Sequence, residues 1–214
     1  MPSPTPRTRI RRLPELALYE KAALYSIIDS AYVCHISFYD GESSHVIPTA
    51  CWRDGDRLYI HGSNGGRLIR KLTSAKEAAV AITHLDGLVL AKSAFNHAMN
   101  YRSAIIYGRF NAVNDEVEKR RLMDIFMRLI APGREGDARP GSAKEFAATT
   151  ILGIALDEAA AKVRTGGPID DESDLDLPIW AGVLPMVTLP QTPIAASTSI
   201  GAEPVYVRQW KTSE

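Results

Sequence analysis

Apolar positions recur along the chain in two rhythms, and the switches between them outline the elements. Leu16, Ala17, Ala23, Leu24, Ile27 and Ile28 fall on one face of a helix that starts at Leu13, with Pro14 suited to its first turn, and ends near Ser30. The pattern then turns to β-type runs at residues 31–39 and 44–53, split by a hairpin signal at Asp40-Gly41-Glu42, and Asp54-Gly55-Asp56 leads into a strand at 57–61. Further runs at 78–83 and 88–92 flank Asp86-Gly87, which reads as another hairpin, and 103–110 is rich in isoleucine and aromatics. About six strands therefore precede residue 111, joined mostly by short turns. That is the grammar of an antiparallel barrel or sandwich and not of alternating βαβ units.

The second half is more varied. Asn114 can cap a helix carrying Val117, Leu122, Ile125, Phe126, Leu129 and Ile130, stopped by Pro132-Gly133 and followed by a polar, glycine-rich loop to residue 143. Residues 149–156 read as a strand, whereas 157–162 combine that context with good helix formers and stay open between the two. From Gly166 the chain is acidic and loop-like. After Pro185 it is rich in proline, threonine and serine, with too little periodic apolar content for a core of its own, so it is expected to wrap a neighbouring surface. Three segments result: a flexible basic arm over 1–12, a domain over 13–185, and an extended tail over 186–214.

One segment carries distinctive chemistry. The apolar strand Leu58-Tyr59-Ile60-His61 runs into Gly62-Ser63-Asn64-Gly65-Gly66 and then into Arg67-Leu68-Ile69-Arg70-Lys71-Leu72. Freed backbone N–H groups, the Ser63 hydroxyl, the positive end of a new helix and Arg67 can converge on one phosphate. Asn64-Gly65 is also a hairpin signal, which would leave the basic residues as solvated charges. Leu68, Ile69 and Leu72 fit one helix face and do not alternate, which favours strand, turn and helix.

Composition narrows the partners. With 214 residues and 45% hydrophobic content, the chain can bury a sizeable core as one domain. Lys plus Arg and Asp plus Glu are both 25, so no global field favours nucleic acid or an acidic membrane, and any anion site must be local. Cys34 and Cys51 are too few for a disulfide framework and read as buried thiols. The five histidines form no recognised ligand pair, although a hairpin could bring His35 to His45, and no metal site is expected. The arginines near the N-terminus precede no apolar signal segment and no run is long enough to span a membrane, so a cytoplasmic protein is expected. No serine stands in a nucleophile elbow.

The hairpins, the Leu58 to Leu72 segment, Asn100-Tyr101-Arg102-Ser103-Ala104-Ile105-Ile106-Tyr107-Gly108 and Leu177-Pro178-Ile179-Trp180-Ala181-Gly182-Val183-Leu184-Pro185, in this order, resemble the FMN-binding split barrels. The chain is most similar to the pyridoxamine 5'-phosphate oxidase-related flavin-nucleotide-binding proteins, a group that includes the nitroimidazole-resistance proteins. The resemblance implies a mainly β fold with flanking helices, built on a six-stranded antiparallel split β-barrel. It implies a homodimer with FMN in each of two grooves between the subunits, its phosphate held largely by one protomer and its ring partly covered by the other.

Carried onto this sequence, the resemblance places the phosphate against Ser63, Gly66 and Arg67, with Lys71 one turn further along. His45, Ile47, Pro48, Thr49 and Ala50 would lie along the isoalloxazine, and Ile60 and His61 would border the ring and ribityl chain. Tyr101, Arg102 and Ser103 would meet the flavin or the partner, unless Arg102 is taken up by a carboxylate such as those of the acidic tail. Trp180 would approach the ring from the second subunit, with Arg164 a lesser candidate there. The basic segment that grips substrate phosphate in the oxidases has no counterpart, because Trp180-Ala181-Gly182 is followed by Val183-Leu184-Pro185-Met186. Oxidation of pyridoxamine phosphate is therefore not expected. An FMN-dependent oxidoreductase drawing electrons from a nicotinamide donor or a substrate, and a non-catalytic FMN carrier or sensor, both fit. Another phosphorylated ligand or haem at the basic cage is the third reading.

Overall fold

A computed structural model of the protein describes residues 4–74 and 77–210. The strands form two antiparallel sheets facing each other across one core. The larger uses β1 (Ala17–Leu18), β2 (Val33–Tyr39), β3 (Ser44–Ala50), β6 (Ala78–Leu90), β7 (Ala98–Gly108), β10 (Ala159–Arg164) and β11 (Gly182–Pro185). Its order is β1-β10-β7-β6-β2-β3, with β11 also on β6. The smaller has the order β4-β5-β9-β8, from β4 (Trp52–Asp54), β5 (Arg57–Ser63), β8 (Asn111–Ala112) and β9 (Thr149–Ala155). Cys34, Ile36, Val80 and Ile106 from the first sheet meet Leu58, Ile60, Leu152 and Ile154 from the second, and all eight are fully buried.

The mainly β, antiparallel architecture with flanking helices agrees with the sequence. The six-stranded barrel does not: the described residues hold eleven strands in sheets of seven and four. Local features also depart from the sequence pattern. Asp86-Gly87 makes no hairpin, because β6 runs straight through it with a register shift between Leu85 and Gly87. A Cβ on Gly87 would lie 3.0 Å from the Leu184 carbonyl oxygen, so this glycine admits β11 at close range instead of turning the chain. The unsettled 157–162 stretch contributes to β10, which pairs with β7 from Ala159↔Ile106 to Arg164↔Tyr101.

The helix expected from Leu13 is likewise divided. Leu13 is left-handed (φ 53°), a 3-10 turn covers Pro14–Leu16, and Ala17 and Leu18 pair with Lys162 and Ala161 before α1 (Lys21–Asp29) begins. A residue before proline avoids the helical region, so the chain turns where an unbroken helix was expected. Asp115 and not Asn114 caps α3 (Glu116–Ile130), accepting the Glu118 N–H at 2.7 Å. The expected loop to residue 143 holds a one-turn helix, α4 (Arg134–Asp137), and a Ser142–Glu145 capping box opens α5 (Ala143–Ala148).

Both ends of the chain lie against the domain. Thr5 donates to Glu158 at 2.7 Å, and Arg7 bridges Glu158 and Glu77 while lying over the Tyr107 ring. Past β11, Met186 N–H donates to the Asp86 carbonyl at 3.0 Å. The last helix, α6 (Val205–Arg208), brings the Tyr206 hydroxyl within 3.1 Å of Arg134. Residues 1–3 of the expected arm and 211–214 of the expected tail lie outside the described residues.

Candidate functional site

Strand β5 is covered on both faces. Leu58 and Ile60 enter the main core, while Tyr59 and His61 face Trp52 and α3. At its end, a Cβ on Gly62 would lie 2.9 Å from Ile69 Cγ1, so only glycine lets α2 (Arg67–Ser74) seat on the strand this closely. The turn is tight. Gly66 N–H donates to the Ser63 carbonyl at 2.8 Å, and Asn64 is held by the Ala147 and Ala148 carbonyls and by the Thr150 hydroxyl. Ile69 and Leu72 are buried and Leu68 packs beside them, as the sequence spacing predicts. The Gly66 carbonyl accepts from Arg70 N–H, so the first-turn amides of α2 have no carbonyl partner within the helix and point outward with its positive end.

Cations gather beside this turn. One guanidinium nitrogen of Arg67 lies 3.1 Å from both ring nitrogens of His45 on β3, and can serve only one of them as a donor. His45 Nε2 is also 3.1 Å from Asp40 Oδ2 and from the Ser43 hydroxyl. Lys71 Nζ sits 2.9 Å from the same Asp40 oxygen. The other Asp40 oxygen accepts N–H groups from Glu42 (3.2 Å) and Ser43 (3.0 Å). The Lys71 ammonium, joined by these N–H groups and His45, holds the Asp40 carboxyl well below the usual carboxylate range. Among the described residues no carboxylate lies within ion-pair distance of Arg67. The corner thus offers a guanidinium, an imidazole and helix amides, with the second cation neutralised by Asp40.

The remaining predicted residues divide by location. Ile47 packs on the core, while Pro48, Thr49 and Ala50 continue β3, the outer strand of its sheet. Ile60 is fully buried, so its side chain is a core element. His61 is half-buried with its ring 5.8 Å from Trp52 and 4.9 Å from Phe126. Its Nδ1 is buried without a hydrogen-bond partner, and burial lowers its pKa and favours the neutral imidazole. Phe38, not His35, lies opposite His45; His35 faces Pro48, so the hairpin does not bring the two histidines together.

Tyr101, Arg102 and Ser103 stand on β7 opposite Leu85, His84 and Thr83. Arg102 is claimed by Asp86 through two bonds of 2.9 Å, and not by the acidic tail. Ser103 donates to the Lys162 carbonyl at 3.3 Å. Arg164 donates to the buried Asn100 at 2.6 Å, an internal contact that the sequence does not announce. Trp180 is 64% exposed and lies over Gly182, where an added Cβ would come within 2.8 Å of its ring.

Within the chain these groups do not meet the Arg67 corner. Phe38, facing His45, pairs with Ala78 at the start of β6, whereas Asp86 and the Trp180 to Gly182 loop lie near its far end. The intervening stretch of extended strand spans roughly 26 Å at about 3.3 Å per residue. Asp40 is the member of the corner that sequence reasoning missed. Its Asp-Gly-Glu setting accounts for a turn, and nothing local shows that the turn delivers a carboxylate to Lys71.

A cleft of about 200 Å³ opens between α3 and α5, walled by Met123, Met127, Pro140 and Phe146, with Arg139 and Glu145 at its rim. Met123 also packs on the Trp52, Tyr59, Leu122 and Ile151 cluster that His61 adjoins.

Solved structures with this arrangement include a flavocytochrome and an FAD and haem binding protein. The flavocytochrome Anf3 from Azotobacter vinelandii is 35% identical, with a TM-score of 0.92 over 97% of this chain and 98% of that one. An FAD and haem binding protein from Mycobacterium smegmatis is 31% identical, with a TM-score of 0.87 over 92% of this chain and 97% of that one. A 5-nitroimidazole antibiotic resistance protein from Bacteroides thetaiotaomicron, at 24% identity and a TM-score of 0.58 over 69% of this chain and 86% of that one, shares the fold. No match is found among curated proteins. The sequence profile of the pyridoxamine 5'-phosphate oxidase family matches residues 20–163, and with that span and those full-length relatives the chain belongs to this family.

Proposed function

We propose that this protein binds a flavin nucleotide with its phosphate at the Ser63, Gly66 and Arg67 corner and acts as a flavin-dependent oxidoreductase on a small molecule. The observation that carries the proposal is Arg67, exposed at the first turn of α2, beside His45 and without a carboxylate partner among the described residues. A guanidinium gives phosphate forked, charge-assisted hydrogen bonds, and the α2 amides add donors. The flavin supplies the redox chemistry when bound; the protein holds its phosphate, orients its ring and limits water access. Of the flavins, FAD is the stronger candidate, because a relative 31% identical over 92% of this chain binds it; FMN is the alternative from the wider family.

The site is proposed to lie between two copies of the chain. In support, the Tyr101 to Ser103 and Trp180 groups stand far along β6 from the Arg67 corner, a separation that a second subunit would close. The exposed apolar residues Ile179, Trp180 and Leu184 suit a neutral or aromatic substrate, and a nicotinamide is the proposed electron donor. No helix among the described residues is long and apolar enough to cross a membrane, and with zero formal charge the proposed setting is cytoplasmic and free of nucleic acid.

A second reading adds haem. Both similar full-length structures are named for it, one as a flavocytochrome. His61 fits the group chemically: it is half-buried and biased to the neutral, ligating form, and its Nδ1 has no partner. In this reading His61 would hold the iron.

The test is the visible spectrum of the protein as isolated, followed by titration of stripped protein with FAD and FMN. The visible bands of an oxidised flavin would report bound flavin, and a Soret band would report haem. R67A is expected to weaken flavin binding about tenfold or more without unfolding the domain. A colourless protein that takes up neither flavin would defeat the proposal, and bleaching of bound flavin by NADH or NADPH would separate enzyme from carrier.

A further inference from the structure

We infer that Asp40 is a specificity-determining residue, tuning the phosphate corner toward the phosphodiester charge pattern of FAD and against the terminal phosphate of FMN. The inference rests on the flavin reading above and concerns only which phosphate chemistry the corner prefers.

The argument begins with how firmly the carboxylate is placed. Its side chain is 9% exposed, and the backbone N–H groups of Glu42 and Ser43 hold one oxygen, while Lys71 and His45 meet the other. Asp40 N–H in turn donates to the Ser43 carbonyl at 3.2 Å, closing the β2–β3 turn around the side chain. The carboxylate is therefore a fixed part of the hairpin and not a mobile surface acid.

Its position sets the charge available to a ligand. Arg67 and Lys71 sit one helical turn apart on α2, so together they would offer two positive charges to one phosphate. Asp40 cancels Lys71 at 2.9 Å and lies one imidazole away from Arg67, through His45. Arg70 stands on the side of α2 away from the buried Ile69 and Leu72, so beside Asp40 and His45 the corner presents the charge of Arg67 plus neutral donors.

Flavin phosphates differ in the matching quantity. A terminal monoester, with a second pKa of about 6, carries close to two negative charges on one phosphorus at neutral pH. Each phosphorus of a dinucleotide pyrophosphate carries one. The second charge of the monoester would face the fixed carboxylate, whereas a singly charged phosphodiester group matches Arg67 alone.

The experiment is equilibrium titration of the stripped full-length protein with FAD, FMN and riboflavin, followed by flavin fluorescence, for wild type, D40N, K71M and D40N/K71M. Asparagine keeps the acceptor oxygen that the Glu42 and Ser43 N–H groups need, so the turn is preserved while the charge is removed. Wild type is expected to bind FAD more tightly than FMN. D40N is expected to strengthen FMN about tenfold and FAD by less than about threefold. K71M, which removes the cation that cancels Asp40 and leaves its carboxylate bare, should weaken FMN more than FAD in the wild-type background and remove the gain in the D40N background. Equal shifts for both flavins in D40N, or an FMN affinity unchanged in K71M alone, would overturn the inference while leaving flavin binding intact. Failure of wild type to bind either flavin would instead remove the functional reading beneath it.

Discussion

Asp86 and Arg102 are locked together across β6 and β7, Nε to Oδ2 and Nη2 to Oδ1 both at 2.9 Å, although it is His84 that stands opposite Arg102 in the ladder. The pair becomes possible because β6 shifts register between Leu85 and Gly87, which re-aims the Asp86 side chain at its diagonal neighbour. The same residue's carbonyl accepts from Met186 N–H, so Asp86 ties the tail to the sheet as well.

From this pair, R102M is expected to lower stability by about 1 kcal/mol, since a forked pair of this kind exceeds a surface salt bridge yet remains open to water. The side chains are 35% and 31% exposed, so salt should screen part of the interaction. Urea unfolding of wild type and R102M at low and high salt measures it. The difference between the two should shrink as salt rises.

The seat of α2 on β5 gives a sharper expectation. A Cβ on Gly62 would lie 2.9 Å from Ile69 Cγ1 and 3.2 Å from its Cδ1, so G62A must displace the helix or force the isoleucine off its rotamer. The cost is expected to be about 1–3 kcal/mol, with weaker flavin retention because Arg67 rides on the same helix. I69A alone costs about 2–4 kcal/mol as a cavity in the core. In the double variant the two losses should fall short of their sum by about 1 kcal/mol, since the clash and the void offset each other. Additive losses in a denaturant double-mutant cycle would mean that the close approach is relieved elsewhere.

Gly62 and Gly87 show what the sequence could and could not disclose. The strand, the small-residue turn and the helix at 57–74 were legible because each depends on neighbours within a few residues: alternation, a tight turn, then an i, i+1, i+4 apolar face. Gly87 looks equally like a turn residue. Its reason is the approach of Leu184 and Pro185, nearly a hundred positions away, and no local pattern carries that. The helix start failed in the same way, since Leu16 and Ala17 have helical spacing but the backbones of Ala17 and Leu18 are claimed by Lys162 and Ala161. In the site, Arg67 was legible as a phosphate residue by type and place. Asp40 and the Asp86 partner of Arg102 were not, because each is defined by which side chain the tertiary fold brings to it.

The two thiols yield a chemical expectation. Cys34 and Cys51 are both fully buried, and the hydrogen bond that the protonated Cys34 thiol gives to the Cys51 sulfur, together with burial, pushes the Cys34 thiol far above its ordinary range. Thiolate is the reactive form, so neither cysteine should react with a disulfide reagent in the folded protein. Two thiols per chain should appear on unfolding, with a modification rate that follows the unfolded fraction as urea is raised. Fast reaction of either under native conditions would show that the sheets part more readily than this core implies.

His61 ties stability to pH. Burial lowers its pKa in the folded chain, so the unfolded chain, at about 6.5, binds the proton more readily. By linkage, the contribution is complete above about pH 6.5 and is lost as pH falls toward the depressed folded value, below which it is constant. H61F should flatten that part of the profile. It keeps a ring between Trp52 and Phe126 and removes the buried Nδ1 that has no partner, so it should raise stability by up to about 1 kcal/mol near neutral pH. Urea midpoints of stripped wild type and H61F between about pH 5 and 8 supply the measurement. A profile unchanged by H61F would assign the slope to other groups. If haem is held by His61, the same substitution should abolish the Soret band while leaving flavin binding at the Arg67 corner, because the two residues lie on different faces of the fold: one against α3, the other beside His45 at the first turn of α2.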